Sequence, residues 1–444
     1  SWLLTNWSQV RILCDPPLNL SIMQDKIKHF FSLLSALKTN KTFLSSFLFY
    51  LVLSSWYVLR PLRNELAVES YGEGMLIPLL ISTTLVMILV NPIYSWVASR
   101  ANYIRIIFYT YSFFILNLLI LYLYSSNLSE LMTFERLWLG RIFYVWSNIY
   151  SFFTVSIFWV LVINLFRDSS SRKYYGFILA GGSVGAMLGS QTSSMLSNSF
   201  TETGIALFLI AASFFLILAL ALAAYIVKIF SVEALSSKVG GGSIDSIKNI
   251  LIKDDIRKIA LYSWFFTFLM TVQWIAAIPI IENYSELSPE RIRLFALIEQ
   301  IVSPLTLLVQ LTLTYYVISK FGIKFILVVY GILFIGVFSL YGFLPSVAVV
   351  VFCQTLLRVF EYGFNKPARE IAYSQLEKKD RYKTTVFIDT FMTRFGDLSG
   401  SIFMGIGKSI FLTITYMPIV AIPFAILHTF LGYNITKKKL FKDL

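Results

Sequence analysis

Nine ionisable side chains lie inside or beside long apolar stretches of this chain, and their types point to the handling of an anion. They are Arg60, Arg63, Arg141, Glu299, Arg358, Glu361, Asp389, Arg394 and Asp397. A charge at the centre of a membrane helix costs roughly 2.5–3.5 kcal/mol on insertion scales, so such residues face a cavity or one another. Arg358 and Glu361 are three residues apart, as are Arg394 and Asp397, so each pair can neutralise itself on one helix face. The other reading is a polar cavity. In it Arg63, Arg141, Arg358 and Arg394 grip an anionic solute, because the planar guanidinium fork donates two hydrogen bonds at once. Glu299, Glu361, Asp389 and Asp397 then couple charge, by holding a proton or by exchanging salt bridges. Asn148 and Trp159, in a stretch with Tyr144, Trp146 and Tyr150, supply polar and aromatic lining on which a planar ligand can stack.

The remaining chemistry is sparse. There is no phosphate-binding glycine loop, no zinc signature and no nucleophile elbow. Two cysteines, Cys14 and Cys353, make no disulfide framework, and two histidines, His29 and His428, make no metal cluster. No external loop is long enough for a catalytic domain. The expectation is a non-enzyme without metal or cofactor.

The elements that must position these residues are membrane helices. The chain has 444 residues, 57% hydrophobic and 14% charged, with a mean hydropathy of +0.73. About a dozen apolar segments approach the roughly 20 residues needed to span a bilayer, where only helices satisfy their own backbone. The expected spans are 43–61, 75–98, 104–125, 137–166, 176–198, 203–230, 259–281, 294–318, 325–344, 346–364, 384–408 and 413–432. Arg60 and Arg63 then flank Pro61 at the outer end of span 1, and Arg141 opens span 4.

The net charge of +13 does not indicate nucleic acid, because the basic residues concentrate in alternate short loops, such as Arg167, Arg172 and Lys173, and Lys378, Lys379, Arg381 and Lys383. The opposite loops hold Glu69, Glu73, Glu130, Glu202 and Glu286. This positive-inside pattern predicts an even number of spans with both termini cytoplasmic. Residues 1–22 precede the first Met, Met23, and read as an untranslated extension or a disordered tail.

The expected organisation is a tail over 1–41, a six-helix half over 42–230, a cytoplasmic linker over 231–258, a second half over 259–434 and a basic tail over 435–444. The linker holds Gly240-Gly241-Gly242 and then a short amphipathic helix on the membrane face. A faint repeat supports two halves: Gly185 and Gly189 in span 5 correspond to Gly396 and Gly400 in span 11. With Gly181, these small residues are expected to let helices approach closely, where rocking halves pivot. The fold class is an all-α polytopic membrane protein of twelve transmembrane helices in a 6+6 pseudo-repeat, the major-facilitator plan.

Several strings are recognisable. Tyr57-Val-Leu-Arg60-Pro-Leu-Arg63-Asn64-Glu65-Leu66 resembles the end of the first span in ATP/ADP translocases of the plastid and intracellular-parasite type. It looks closer still to their free-living bacterial relatives among major-facilitator transporters. Ser156-Ile-Phe-Trp159 followed by Asn164, and Arg172-Lys-Tyr-Tyr-Gly176, are similar to that family's patterns. So is the stretch Asn365-Lys-Pro-Ala-Arg369-Glu370-Ile-Ala-Tyr373, continuing through Tyr382-Lys383, Ile388-Asp389 and Arg394-Phe-Gly396-Asp397. The resemblance runs from about Thr42 onward and implies a twelve-helix exchanger. Nucleotide-carrying members rely on a Lys in the first-span motif, a Glu in span 4 and a Lys in span 11. Here those positions read Arg63, Ser147 and Asp397, so the first charge is kept, the second is lost and the third is reversed.

Three functions follow as expectations. The first is a secondary transporter moving an organic anion, nucleotides of the ATP/ADP type included, by alternating access as an antiporter. The second, motivated by the acidic span 11, is a proton-coupled carrier for an unrelated solute. The third is a non-transporting sensor, scaffold or lipid-handling protein. The expected partners are a small anionic solute and membrane lipids, with no nucleic acid, and the chain is expected to be a monomer.

Overall fold

The structure is a computed structural model, and it describes residues 40–72, 74–100, 103–125, 133–166, 175–200, 204–230, 253–374, 388–410 and 413–435. Residues 1–39 of the predicted tail over 1–41, most of the linker with its amphipathic helix, the basic loop over 375–387 and all but the first residue of the tail over 435–444 lie outside them.

Each apolar window holds a helix. The N-terminal half contains α1 (Lys41–Gly72), α2 (Leu76–Arg100), α3 (Tyr103–Ser125), α4 (Thr133–Leu165), α5 (Tyr175–Leu196) and α6 (Ala206–Ile229). The C-terminal half contains α7 (Asp254–Glu282), α8 (Ser288–Thr312), α9 (Thr314–Phe343), α10 (Val347–Phe360), α11 (Thr393–Ser409) and α12 (Ile422–Ile435). Among the described residues, eight of these helices are long and apolar enough to cross a bilayer, and α12 with the short turns before it makes a bent ninth candidate. Large apolar side chains stand exposed along them, among them Leu89, Tyr109, Leu123, Leu311 and Phe343. Water would not tolerate so broad an apolar surface, and lipid covers it without cost. The chain is an integral membrane protein.

Three boundaries differ from expectation. The first span does not end at Pro61: α1 runs on to Gly72, so Arg60 and Arg63 stand well inside the helix rather than at its outer end. Their charges face the cavity between the halves, not lipid, and so do not terminate the helix. Arg141 likewise lies two turns inside α4 rather than at its start. The expected eighth span over 294–318 stops at Thr312; residues 314–321 form a separate turn of helix before Gly322, whose φ of 71° kinks α9. Only glycine takes that backbone conformation readily.

A second irregularity positions a charge. After Phe360, α10 passes through a π turn over Glu361–Asn365 and continues as Lys366–Ser374. A π turn inserts a residue into the helical repeat and rotates everything after it, a distortion common at functional sites.

The two halves repeat one another in space. α1 packs on α5 and α6 as α7 packs on α11 and α12. The glycine seams carry the equivalence. A Cβ on Gly185 would strike the carbonyl oxygen of Tyr50, and one on Gly189 that of Ser54. A Cβ on Gly396 would strike the carbonyl oxygen of Trp264, and one on Gly400 that of Phe268, at 3.0 Å. Gly181 lies in the same way against Ser46. Backbone-to-backbone approach of this kind is available only to residues without a side chain.

The halves meet through α5 against α8 and α2 against α11. We call the side where α1 begins the near face and the side where it ends the far face. One apolar cluster crosses between the halves: it joins Ala67, Val68, Leu76 and Leu79 of the N-terminal half to Ile278, Ile281, Leu294 and Met404 of the C-terminal half. These residues sit at the far ends of their helices, so the molecule is sealed there.

Candidate functional site

Below that seal lies a cavity of about 590 Å³ between the halves. Its size falls within the usual range of small-molecule sites, about 300–1,000 Å³. The charged side chains lining it are Arg60, Arg63, Arg358, Lys366 and Arg394 against Glu299, Glu361 and Asp397, so cations exceed carboxylates. Fixed charges in a low-dielectric cleft concentrate ions of opposite sign.

The cations are held in different ways. Arg358 on α10 makes a two-pronged pair with Glu299 on α8: Nη1 donates to Oε1 at 2.6 Å and Nη2 to Oε2 at 2.7 Å. Arg60 on α1 adds a third bond, from Nη1 to Glu299 Oε2 at 3.1 Å, and also donates to the Tyr57 hydroxyl at 2.9 Å. One buried carboxylate thus serves two guanidinium groups from opposite halves. Buried charges of this kind persist only when their hydrogen bonds are met.

Arg63 is held by neutral groups. Its Nη1 donates to Asn148 Oδ1 at 2.9 Å, and its Nη2 and Nε donate to Asn64 Oδ1 at 2.7 and 3.2 Å. Asn148 is fixed in turn, donating from Nδ2 to the Tyr144 carbonyl at 2.8 Å. The guanidinium lies over Trp56 at 5.3 Å and beside Tyr144 at 5.6 Å. Among the described residues it makes no ion pair. A positive charge is therefore presented to the cavity, oriented by amides and aromatic faces but not neutralised.

The other predicted residues separate into those in the cavity and those outside it. Arg394 and Asp397 do pair along one helix, Nη1 to Oδ2 at 2.9 Å, and Thr271 donates to Asp397 Oδ1 at 3.0 Å. Arg358 and Glu361 do not pair with each other. Glu361 takes Arg369 at 2.6 Å and the Asn365 amide instead, because the π turn begins at Glu361 and swings these partners beneath it. Arg141 is not among the cavity's lining residues; it stacks on Trp138 at 5.1 Å. Trp159 also lies elsewhere, edge-on to Phe49 at 5.6 Å, and Trp146 and Tyr150 pack with Phe114 inside the N-terminal half. Asp389 lies in the helical backbone of Ile388–Met392, and its side chain is outside the described residues.

Several residues of the site carried no expectation of their own. Glu65 on α1 receives Arg291 of α8 through Nε, at 2.9 Å to both carboxylate oxygens, and through Nη2. Arg291 also donates from Nη1 to the Ser285 carbonyl at 2.6 Å. Nearby, Arg293 donates to the Ser197 hydroxyl at 3.1 Å. Glu65 is five residues beyond Arg60, roughly 7.5 Å further toward the far face at the helical rise of 1.5 Å per residue. The ion pairs between halves thus form two layers: one in the seal, one in the cavity wall. Glu65 stood in the first-span motif, but its partner is 226 positions away and no spacing reveals it. Lys366, Gln273 and Gln354 also line the cavity.

No protein-family model matches this chain, and no curated protein matches it. Solved structures do. A variant of the nucleoside transporter NupG aligns over 90% of this chain and 100% of its own at 13% identity, with a TM-score of 0.61. A bacterial homologue of the iron transporter ferroportin, in an inward-facing state, aligns over 91% and 100% at 14% identity, with a TM-score of 0.62. The Major Facilitator Superfamily transporter FucP, in an outward conformation, aligns over 90% and 100% at 11% identity, with a TM-score of 0.56. At these identities the likeness is one of fold: two six-helix halves around a central cavity, the major-facilitator fold.

Proposed function

We propose that this chain is a secondary transporter that moves an organic anion by alternating access, with exchange of nucleotides of the ATP/ADP type as the first case to test. The observation that carries the reading is Arg63: a guanidinium lining a cavity between two halves, held only by neutral partners. An anion entering the cavity would meet a positive charge already oriented and partly desolvated, with little side-chain entropy left to lose. The second support is the layout of bonds between the halves. Glu65–Arg291 joins them beside the apolar seal and Arg60–Glu299 in the cavity wall, so both must break before the far side can open. A carrier needs such a seal on each side in turn. The proposed setting is a bacterial inner membrane with both termini cytoplasmic, the near face being the cytoplasmic one, and a monomer among lipids.

Uptake of labelled ATP or ADP into proteoliposomes, with and without internal nucleotide, tests the nucleotide version. Uptake that rises with internal nucleotide supports exchange; flat uptake for every nucleotide eliminates it and leaves other organic anions to be screened. A proton-coupled carrier is the second reading, favoured by Asp397, a carboxylate in the cavity wall between Thr271 and Arg394. It requires transport driven by an imposed pH gradient and loss of that drive in Asp397→Asn. Normal proton coupling in that variant removes Asp397 from the reading.

A further inference from the structure

The near end of the C-terminal half carries a surface that solute handling leaves unused. Residues 314–321 form a separate turn of helix, and Gly322, with φ 71° and ψ 171°, breaks it from the long run of α9. One side of this turn is tied to the protein. Val317 and Ile318 pack on the near-face cluster that includes Ile256, Ile259, Ile323 and Leu327, and Thr314 donates to the Gly363 carbonyl at 2.6 Å. The other side holds Tyr315, Tyr316, Lys320 and Phe321, all exposed, Tyr315 by 84%. A short helix with one anchored apolar side and one side of rings and lysine suits the headgroup layer, not the bilayer core.

The charges single this surface out. Lys320 donates to the Tyr316 hydroxyl at 2.9 Å and lies over the rings of Tyr316, at 5.3 Å, and Phe321, at 5.5 Å. Phe321 stacks on Phe325 at 4.9 Å, across the break at Gly322. Lys324, beside Phe325 in the chain, lies over Tyr433 of α12 at 4.0 Å. Aromatic faces thus position both lysines without neutralising them. Neither meets a carboxylate among the described residues, whereas Lys258 on the same face of the molecule takes Asp254 at 2.6 Å. Past Ile435 the sequence adds Lys437-Lys438-Lys439. Lysines at a membrane surface attract anionic headgroups, and their contributions add. We infer that this patch gathers anionic phospholipid in the near leaflet, its headgroup phosphates drawn to Lys320 and Lys324 and its upper acyl chains lying along the rings. The patch is not part of the cavity, so the inference stands or falls apart from the transported solute.

The test uses the full chain without Cys14 and Cys353, with Ser319→Cys carrying a fluorophore beside Lys320, in vesicles of phosphatidylcholine and phosphatidylglycerol. Nitroxide-labelled phosphatidylglycerol is expected to quench the fluorophore like an about three-fold or greater excess of nitroxide-labelled phosphatidylcholine. Lys320→Gln with Lys324→Gln is expected to remove at least half of that preference and to leave the melting temperature unchanged, because both side chains are exposed. The single variants, each expected to lower the preference, serve if the double variant does not fold. Inorganic phosphate added at fixed ionic strength is expected to leave the preference in place. Equal quenching by the two lipids in the parent, or a preference that outlasts the double substitution, overturns the inference. Loss of the preference to inorganic phosphate would assign the lysines to a free anion and overturn it as well.

Discussion

Arg63 and Arg358 line the same cavity from opposite halves, and their surroundings differ in one respect. Arg358 is neutralised by Glu299 through two parallel bonds; Arg63 is surrounded by Asn64, Asn148 and aromatic faces. A two-pronged arginine–carboxylate pair is among the strongest polar contacts available. Arg358 is therefore committed to holding α8 and α10 together, and its charge is spent there. Arg63 is oriented just as firmly but keeps its charge for a solute. Residue type alone would assign both the same task. The partner decides which is a strut and which is a binding group.

The comparison breaks most visibly at the strut. Glu299→Gln leaves the buried Arg358 guanidinium and the half-buried one of Arg60 facing one neutral amide. Removing one member of a buried pair typically costs about 3–5 kcal/mol. The expected result is a large fall in melting temperature in detergent, with Arg358→Gln nearly as severe and the double variant less severe than the sum of the two. A wild-type melting curve for Glu299→Gln would mean that the pair does not form in the folded protein.

The opposite pattern is expected at Arg63. Arg63→Gln removes charge but keeps a group that can donate to Asn148, so stability should change by less than about 1 kcal/mol. Solute affinity should fall by about ten-fold to a hundred-fold, since a charge-assisted hydrogen bond contributes roughly 1.5–3 kcal/mol. Titration and uptake measured beside a melting curve separate the two arginines: one variant loses folding, the other binding. Equal loss of both at Arg63 would make it a second strut.

A third, smaller effect concerns the far-face layer. Glu65→Gln weakens the bond to Arg291 without emptying the site, because the amide oxygen still accepts. A change of about 1–2 kcal/mol in a two-state balance alters populations by roughly five- to thirty-fold. The expected readout is increased labelling, from the far side, of a cysteine placed at Asn64 in a background without Cys14 and Cys353. Labelling unchanged from the parent would show that this pair does not hold the seal.

Much of this architecture is legible in the chain. The apolar windows each contain a helix because spans in lipid must be long, apolar and internally bonded, and those demands act on local sequence. The glycine repeat at 185–189 and 396–400 marks two seams because only glycine permits carbonyl contact at Tyr50 and Trp264. Ion-pair partners are far less legible. Spacing favours Arg358 with Glu361, yet Glu299, 59 positions away, takes the arginine, and a π turn that leaves no composition signal redirects Glu361. The extension of α1 past Pro61 is hidden for a related reason. A charged run normally ends a span, and nothing local says that Arg60 and Arg63 face a protein-lined cavity. Gln273 and Gln354 carry no charge to draw notice; the one available signal is a lone amide in an apolar run, one turn before an arginine.

The smallest expected effect tests whether the seams within a half differ from the contact between halves. Gly405 on α11 faces Ile77 of α2, and a Cβ there would stand 3.2 Å from the Ile77 Cγ2 methyl. That neighbour is the end of a flexible side chain, so Gly405→Ala should move stability by no more than about 0.5 kcal/mol. Gly185 meets the Tyr50 backbone instead, which has no rotamer to change, and Gly185→Ala should cost about 1–3 kcal/mol through overpacking. Melting curves of the two alanine variants, recorded side by side, decide the matter. A rigid seam inside each half and a forgiving contact between them is what two bodies that rock against each other require. Equal losses at both positions would mean that the whole far face is packed as tightly as either interior, and a fixed bundle would then describe the molecule better than two moving halves.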